Sequence, residues 1–312
     1  MSTTLLLLAL GLGLVILSFG ADLLVRGASA IASRLGMTPL VIGLTVVAFG
    51  TSAPELVVSV KASLAGQGGI AMGNIIGSNI FNVAVILGIS ALICPLAVHL
   101  NIIRFDMPVL LGVSALFTAF LLSGGGLAWW EGSLLLSGLA VYLTWSVRQA
   151  KKEPADSKFS SIKSSGLPLS ITLVVLGLAM LVGGGNLFVG SAVTIARSLG
   201  WSEAIIGLTV VAAGTSLPEL ATSVVAALRR QTDIAIGNIV GSNIFNILGI
   251  AGIASVVRPV AAPGINWLDL GAMLLTSALL LPLMKTGFKL SRREGGVMLG
   301  CFATYLWVRW PS

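Results

Sequence analysis

The chain has 312 residues, of which 56% are hydrophobic and only 9% are charged, and its formal net charge is +7. This composition is too apolar for a soluble domain, and the chain is too long for a single membrane anchor, so we expect a polytopic membrane protein. The basic residues are scattered over short segments without interleaved aromatic residues, which argues against a nucleic-acid-binding surface.

Ten stretches of the chain are long and apolar enough to cross a bilayer, because a spanning helix needs about 20 mostly apolar residues. They fall at residues 5–34, 39–64, 70–93, 104–122, 127–147, 167–199, 204–228, 234–257, 266–284 and 291–310. Such lengths indicate helices rather than the short strands of an outer-membrane barrel, which predicts an all-α fold. The first stretch exceeds signal-peptide length and has no basic residue before it, so we expect a retained helix.

A motif in the second stretch is repeated in the seventh. Residues 50–56 read GTSAPEL, and residues 214–220, 164 positions later, read GTSLPEL. The same offset relates GNIIGSNIFN at residues 73–82 to GNIVGSNIFN at residues 237–246, and more than half of the positions from Thr38 to Val98 match their partners. The chain therefore contains an internal duplication.

The duplication divides the ten stretches into five and five. An odd number of spans in the first half makes the second half enter the membrane from the opposite side, which predicts two inverted repeats. The first repeat covers residues 1–148, with its conserved part at about 38–98, and the second covers residues 167–312, with its conserved part at about 202–262. Residues 149–166 form a polar linker that is too short to fold alone.

The basic residues predict the orientation. If the amino terminus lies outside, the inner loops carry most of the lysines and arginines, and the outer side holds only Lys61, Arg197, Arg258 and Arg309. The positive-inside rule then places both termini outside and the linker in the cytoplasm. We expect a multi-pass protein of a prokaryotic inner membrane.

Each copy of the first motif places a glutamate inside an apolar helix. A carboxylate at the bilayer centre costs about 3 kcal/mol even on lenient insertion scales, so Glu55 and Glu219 indicate function. The proline before each of them, Pro54 or Pro218, has no N–H for the carbonyl one turn earlier, and this loosens the helix beside the acid.

Other polar groups are predicted to join the two glutamates. Thr51 lies four residues before Glu55, on the same helical face, and Ser78 and Asn82 have the same spacing. The candidate set is Thr51, Ser52, Glu55, Ser78 and Asn82, with their partners Thr215, Ser216, Glu219, Ser242 and Asn246. Because the set offers only oxygen and amide groups, it suits a hard cation such as calcium, which would also neutralise the two carboxylates.

Several other residues have structural interpretations. The glycines at 73–77 and 237–241 are typical of close helix packing, and single serines, threonines and asparagines often bond to their own helix or a neighbouring one. Asp22 and Arg26 are spaced for an ion pair within the helix. Near helix ends, where caps are expected, lie Asp106, Glu131, Glu203, Asp233 and Asp269. One histidine, His99, and two isolated cysteines, Cys94 and Cys301, indicate neither a zinc site nor a disulfide.

On the doubled motifs GTSxPE and GNxxGSNxxN, the chain resembles the cation/calcium exchanger superfamily, specifically the small prokaryotic sodium/calcium exchangers. The resemblance covers nearly the whole chain. It implies a ten-helix antiporter without a cofactor, in which an inward sodium gradient drives calcium out. It also implies ion sites between the second, third, seventh and eighth helices, and a sliding gate formed by the first and sixth.

The resemblance also implies residue roles. Glu55 and Glu219 would be the central calcium ligands, helped by backbone oxygens of Thr51 and Thr215 and by two further backbone carbonyls. The residues that would bind sodium or line the site are Ser52, Ser78, Asn82, Ser216, Ser242 and Asn246. The two further backbone carbonyls would be those of Ala48 and Ala212. Relatives often carry an aspartate at the last motif position of one repeat, whereas both positions are amides in this chain.

Three alternatives remain at this point. With two rather than three formal charges, the site leaves proton coupling through the glutamates open, which would make the protein a proton/calcium exchanger. A passive cation channel would also contain buried acids. A hydrolase is disfavoured, because no nucleophile, base and orienting group can be assembled from the motifs. The expected partners are the transported ions and the lipid bilayer, and no obligate protein partner is evident.

Overall fold

The computed structural model describes residues 3–150, 166–199 and 212–309, and this part of the chain is mostly helical. The helices of the first half are α1 (Thr3–Leu35), α2 (Pro39–Ile42), α3 (Ala48–Thr51), α4 (Ala53–Leu64), α5 (Gly68–Phe81), α6 (Gly88–Ile93), α7 (Met107–Gly124) and α8 (Trp129–Ala150). Those of the second half are α9 (Leu167–Ser198), α10 (Ala212–Thr215), α11 (Leu217–Leu228), α12 (Thr232–Phe245), α13 (Gly252–Val257), α14 (Trp267–Lys285) and α15 (Arg292–Arg309).

Short π-helical segments join several of these helices end to end. They are Gly43–Val47 between α2 and α3, Asn82–Leu87 between α5 and α6, Ile102–Asp106 before α7, and Asn246–Ala251 between α12 and α13. The sequence did not predict them. π-helical turns are rare in proteins, but those that occur are often found at functional sites. Two of these segments begin at the predicted site residues Asn82 and Asn246.

Six helices of the described part are long and apolar enough to cross a membrane. They are Thr4–Leu35, Gly68–Ile93, Ile102–Gly124, Leu167–Ser198, Thr232–Val257 and Trp267–Lys285, and a bent pair, Pro39–Thr51 with Ala53–Leu64, is a further candidate. The predicted fifth and tenth stretches are the less apolar helices α8 and α15, and the predicted seventh lies partly in residues 200–211, outside the described chain. The protein is a membrane protein, and the count of ten spans stays a prediction.

α1 and α9 pack against each other through glycines. A Cβ on Gly177 would lie 2.7 Å from the backbone nitrogen of Leu24, and a Cβ on Gly20 would lie 2.9 Å from the carbonyl oxygen of Gly177. Since these glycines have no side chain, the two backbones approach closely, as small residues allow in membrane helices.

Among the described helices that are long enough to span a membrane, the one that begins with α12 is the most buried, and every residue of α12 from Ile234 to Phe245 is buried. A Cβ on Gly241 would lie 2.6 Å from the carbonyl oxygen of Leu44, and one on Gly237 would lie 2.8 Å from that of Leu40. The predicted packing role of these two glycines is thus confirmed. For Gly73 and Gly77 the packing role stays a prediction, since among the described residues only Ile265 comes within 4.0 Å of the Cβ position of Gly73 and none comes within 4 Å of that of Gly77.

The described chain is mostly helical, as predicted, and four two-residue strands lie between its helices. They are β1 (Leu96–Ala97), β2 (Gly126–Leu127), β3 (Val260–Ala261) and β4 (Lys289–Leu290). β1 pairs with β4 and β2 pairs with β3, both antiparallel, so each pair joins a loop of the first half to a loop of the second. Segments this short carry no alternating hydrophobic pattern, which is why the sequence did not reveal them.

The ion pair predicted within α1 is confirmed and is part of a larger contact. Asp22 lies 2.9 Å from the Nε of Arg26. It also pairs with Arg229 at the end of α11, and Ser29 of α1 donates to the side chain of Gln231 nearby. Polar contacts therefore tie α1 to the end of α11.

The acids predicted near helix ends have different roles. Glu131 accepts the N–H of Ala128 at 2.8 Å, and Asp269 forms a capping box with Asn266. The cap prediction for Asp106 was wrong: its side chain makes no cap bond to α7 but accepts the hydroxyl of Tyr142 at 2.9 Å. In addition, Asp233 lies in the first turn of α12, and Glu203 lies outside the described residues.

The packing of α1 against α9 predicts that Gly177→Ala destabilises the protein by about 1–3 kcal/mol, because the added methyl group meets backbone atoms. Gly183→Ala in the same helix is the matched control. Gly183 is exposed, no described atom lies within 4 Å of its Cβ position, and alanine favours helix formation. Thermal unfolding of the two purified variants in detergent measures the difference, and equal melting temperatures would contradict it.

Candidate functional site

The two predicted helix breaks are present. Ser52 separates α3 from α4 and Ser216 separates α10 from α11, each with a ψ of 9° that departs from helical values. Pro54 and Pro218 lie in the first turn after each break. The segments on either side of Ser52 differ in direction by 48°. Because each proline lacks an N–H, the helical bonding pattern is interrupted beside the following glutamate.

The two breaks contact each other through reciprocal hydrogen bonds. The Ser52 hydroxyl donates to Oε1 of Glu219 at 2.8 Å, and the Ser216 hydroxyl donates to Oε1 of Glu55 at 2.9 Å. Glu55 is 1% exposed and Glu219 is 0% exposed. Acids from opposite halves of the chain thus share one buried site.

Several oxygens at this site have no hydrogen-bond donor among the described residues. They include Oε2 of Glu55, Oε2 of Glu219 and the amide oxygens of Asn82 and Asn246. A buried polar atom without a partner costs about 1–3 kcal/mol, and more if it is charged. Two buried carboxylates, each with an oxygen that lacks a donor among the described residues, therefore attract a cation strongly.

The structure also brings the other predicted hydroxyls to the breaks. Ser78 of α5 lies 3.4 Å from the hydroxyl of Ser216, and Ser242 of α12 lies 3.5 Å from the carbonyl oxygen of Ala48. Four segments, α3–α4, α5, α10–α11 and α12, converge at this point.

The remaining predicted residues differ in their burial and bonding. Asn82 and Asn246 are both buried, and Nδ2 of Asn82 donates to Oδ1 of Asn243 at 3.0 Å. Neither amide atom of Asn246 has a protein partner in the described chain. Thr215 is the last residue of α10 and is half-buried, and Ala212 is the first residue of the same helix.

Four asparagines of the site received no role from the sequence, namely Asn74, Asn79, Asn238 and Asn243. They bond to site residues or lie beside them: Asn238 accepts the Thr51 hydroxyl at 3.0 Å, and Asn74 accepts the Thr215 hydroxyl at 3.4 Å. The signal was available, because all four belong to the repeated GNxxGSNxxN motif. Their partners could not be read from the sequence, because the bonds cross between the two halves.

A profile of the family described as sodium/calcium exchanger protein matches residues 5–148 and 169–310, which is nearly the whole chain. The chain belongs to the sodium/calcium exchanger protein family. The resemblance stated from the doubled motifs is confirmed, and the chain is a transporter of the cation/calcium exchange type rather than a member of an enzyme family.

Individual relatives agree with this family. The chain is 40% identical to the putative antiporter CaxA of Alkalimonas amylolytica over 96% of this chain and 97% of the relative. It is 38% identical to the inner membrane protein YrbG of Escherichia coli over 79% and 78%. The solved structure of the sodium-calcium exchanger NCX_Mj, soaked with sodium and calcium ions, superimposes with a TM-score of 0.85 at 33% identity, covering 99% of each chain.

The unequal bonding of the two motif-ending asparagines gives a prediction for this exchanger-family chain. Asn82→Leu removes a hydrogen bond and leaves Oδ1 of Asn243 without a donor, which costs about 1–3 kcal/mol. Asn246→Leu removes an amide with no protein partner in the described chain, so its cost is smaller. Melting temperatures in detergent without added calcium or sodium compare the two, and an equal or larger loss for Asn246→Leu would contradict the described geometry.

Proposed function

We propose that this membrane protein is a secondary active antiporter that exchanges sodium for calcium by alternating access. The observation that carries the proposal is the pair of buried carboxylates, Glu55 and Glu219, joined across the two halves by reciprocal serine bonds at two helix breaks. In transporters with inverted repeats, the ion site lies where the repeats meet and where helices are interrupted.

Charge balance supports calcium as one substrate. Two ionised carboxylates at membrane depth are costly and repel each other, and one divalent cation neutralises both. The unpaired Oε2 atoms of Glu55 and Glu219 are the proposed central ligands, and calcium accepts six to eight oxygens. The further proposed ligands and lining groups are Thr51, Thr215, Ser52, Ser216, Ser78, Ser242, Asn82 and Asn246, with the carbonyls of Ala48 and Ala212.

Sodium coupling follows from the same charge count. When calcium leaves, two sodium ions restore neutrality, and the neutral hydroxyl and amide oxygens beside each glutamate supply ligands for them. One calcium ion or two sodium ions neutralise the carboxylates, whereas in the empty site the two negative charges repel each other. This competition for one pair of charges is the physical basis of exchange.

Proton/calcium exchange is the second candidate, and the two amides favour it. With asparagine at both positions 82 and 246, Glu55 and Glu219 are the only acids in the proposed site. A carboxyl group that alternately holds a proton and calcium is a sufficient exchanger.

The proposal includes the membrane arrangement. The two units, residues 1–148 and 167–312, are inverted five-helix repeats, and the linker at residues 149–166 is cytoplasmic with both termini outside. The inner membrane is the proposed location, as the name of the Escherichia coli relative says of that protein.

The test is radioactive calcium uptake into proteoliposomes that contain the purified protein. Uptake is compared for an outward sodium gradient, an outward proton gradient, and no gradient of either ion. We expect uptake with the sodium gradient alone. Uptake with the proton gradient alone would show that protons, and not sodium, are the coupling ion. Uptake without any counter-ion gradient would indicate a channel and contradict exchange.

Substitution of the glutamates gives a second prediction. Glu55→Gln and Glu219→Gln each halve the site charge but keep the side-chain size, so each variant is expected to fold and to lose calcium transport to the level of protein-free liposomes. Glu131→Gln is the control, because its amide oxygen still accepts the Ala128 N–H outside the site. Normal uptake by either folded site variant would contradict the assignment.

A further inference from the structure

Asn74 and Asn238 each hold the turn that follows a helix break. Nδ2 of Asn74 donates to the carbonyl oxygen of Glu55 at 3.2 Å and to the Ser59 hydroxyl at 2.9 Å. In the second half, Nδ2 of Asn238 donates to the carbonyl oxygen of Glu219 at 3.4 Å and to the Ser223 hydroxyl at 3.0 Å. Both amides therefore fix the backbone that carries a buried carboxylate.

The same two amides reach across to the opposite half. Oδ1 of Asn238 accepts the hydroxyl of Thr51 at 3.0 Å, and Oδ1 of Asn74 accepts the hydroxyl of Thr215 at 3.4 Å. The amide orientation follows from the chemistry. A backbone carbonyl only accepts hydrogen bonds, so Nδ2 has to face the glutamate carbonyl, and Oδ1 is left for the threonine.

This contact directs the threonine proton. For Thr51, the amide oxygen of Asn238 at 3.0 Å is a nearer acceptor than the carbonyl oxygen of Ala48 at 3.3 Å. A hydroxyl group has one proton and two lone pairs. When the proton is directed at the amide oxygen, the lone pairs face elsewhere, and a cation can be bound only by lone pairs. Thr51 and Thr215 are the last residues before the two breaks, and each directly precedes the serine whose hydroxyl donates to a buried glutamate.

We propose that Asn74 and Asn238 are positioning residues of the cation site. Each one fixes the glutamate turn of its own half and orients the threonine hydroxyl of the other half, so that ligands from both halves are set by one amide. This inference rests on the proposed function, because the cation is taken to be calcium. It predicts an energetic coupling of Asn238 with Thr51 and of Asn74 with Thr215.

Asparagine as a simple link between helices makes a different prediction. In that role its loss lowers stability, but the effect on calcium binding is independent of which threonine is also changed. Residues that act through each other show non-additive effects in double-mutant cycles, whereas independent residues show additive ones.

The experiment is equilibrium binding of radioactive calcium to purified protein in detergent. The variants are Asn238→Leu, Thr51→Val, Asn74→Leu and Thr215→Val, the two contacting double variants (Asn238 with Thr51, Asn74 with Thr215) and the two crossed ones (Asn238 with Thr215, Asn74 with Thr51). Each single variant is expected to weaken binding about tenfold. The contacting doubles should remain near tenfold, while the crossed doubles should reach about 100-fold.

Each outcome decides the inference. Additive losses in both contacting pairs, with normal calcium binding by the wild-type protein, would overturn this inference alone. Absence of calcium binding by the wild-type protein would overturn the proposed function and this inference with it. If an asparagine variant fails to fold, Thr51→Ser against Thr51→Val decides. Serine keeps the donor and should bind calcium as the wild type does, and equal binding by the valine variant would overturn the proposal.

Discussion

The constraint on which the rest of the structure depends is the burial of two carboxylates inside a membrane-embedded helix bundle. Each costs about 3 kcal/mol at the bilayer centre even on lenient scales. Ser52 and Ser216 each supply a single hydrogen bond to the opposite glutamate, and the second oxygen of each carboxylate has no partner among the described residues. Two helix breaks follow Thr51 and Thr215, and two π-helical segments begin at Asn82 and Asn246. These features concentrate further oxygens around the two carboxylates.

Two kinds of glycine contact surround the cluster. Inside the bundle, Gly237 and Gly241 bring α12 against the segment from Leu40 to Ala48, which contains part of the site. At the periphery, Gly20 and Gly177 bring α1 against α9. Alternating access needs a part that stays fixed and a part that moves, and in the proposed antiporter we assign these roles to the buried bundle and to the pair α1 and α9. The contact of Asp22 in α1 with Arg229 at the end of α11 links the outer pair to the bundle. The repeat partner of Asp22 is Asn186, which has no charge.

The sequence predicted the features that follow from local chemistry. The effect of Pro54 and Pro218 on their helices, the pairing of Asp22 with Arg26, and the burial of both glutamates needed only spacing and hydropathy. It did not predict the bonds of Asn74 with Thr215 and of Asn238 with Thr51, because those bonds join residues more than 100 positions apart. It also assigned Asp106 to a cap, since nothing local indicates that Tyr142 lies beside it. The two-residue strands and the π-helical segments depend on tertiary packing and have no local pattern.

The central claim is that both glutamates belong to one divalent-cation site. The most direct test is the number of calcium ions bound per chain at saturation, measured by equilibrium dialysis of the purified protein in detergent, with and without competing sodium. The account predicts one calcium ion per chain, displaced by sodium. Two calcium ions bound independently, one for each glutamate, would contradict it.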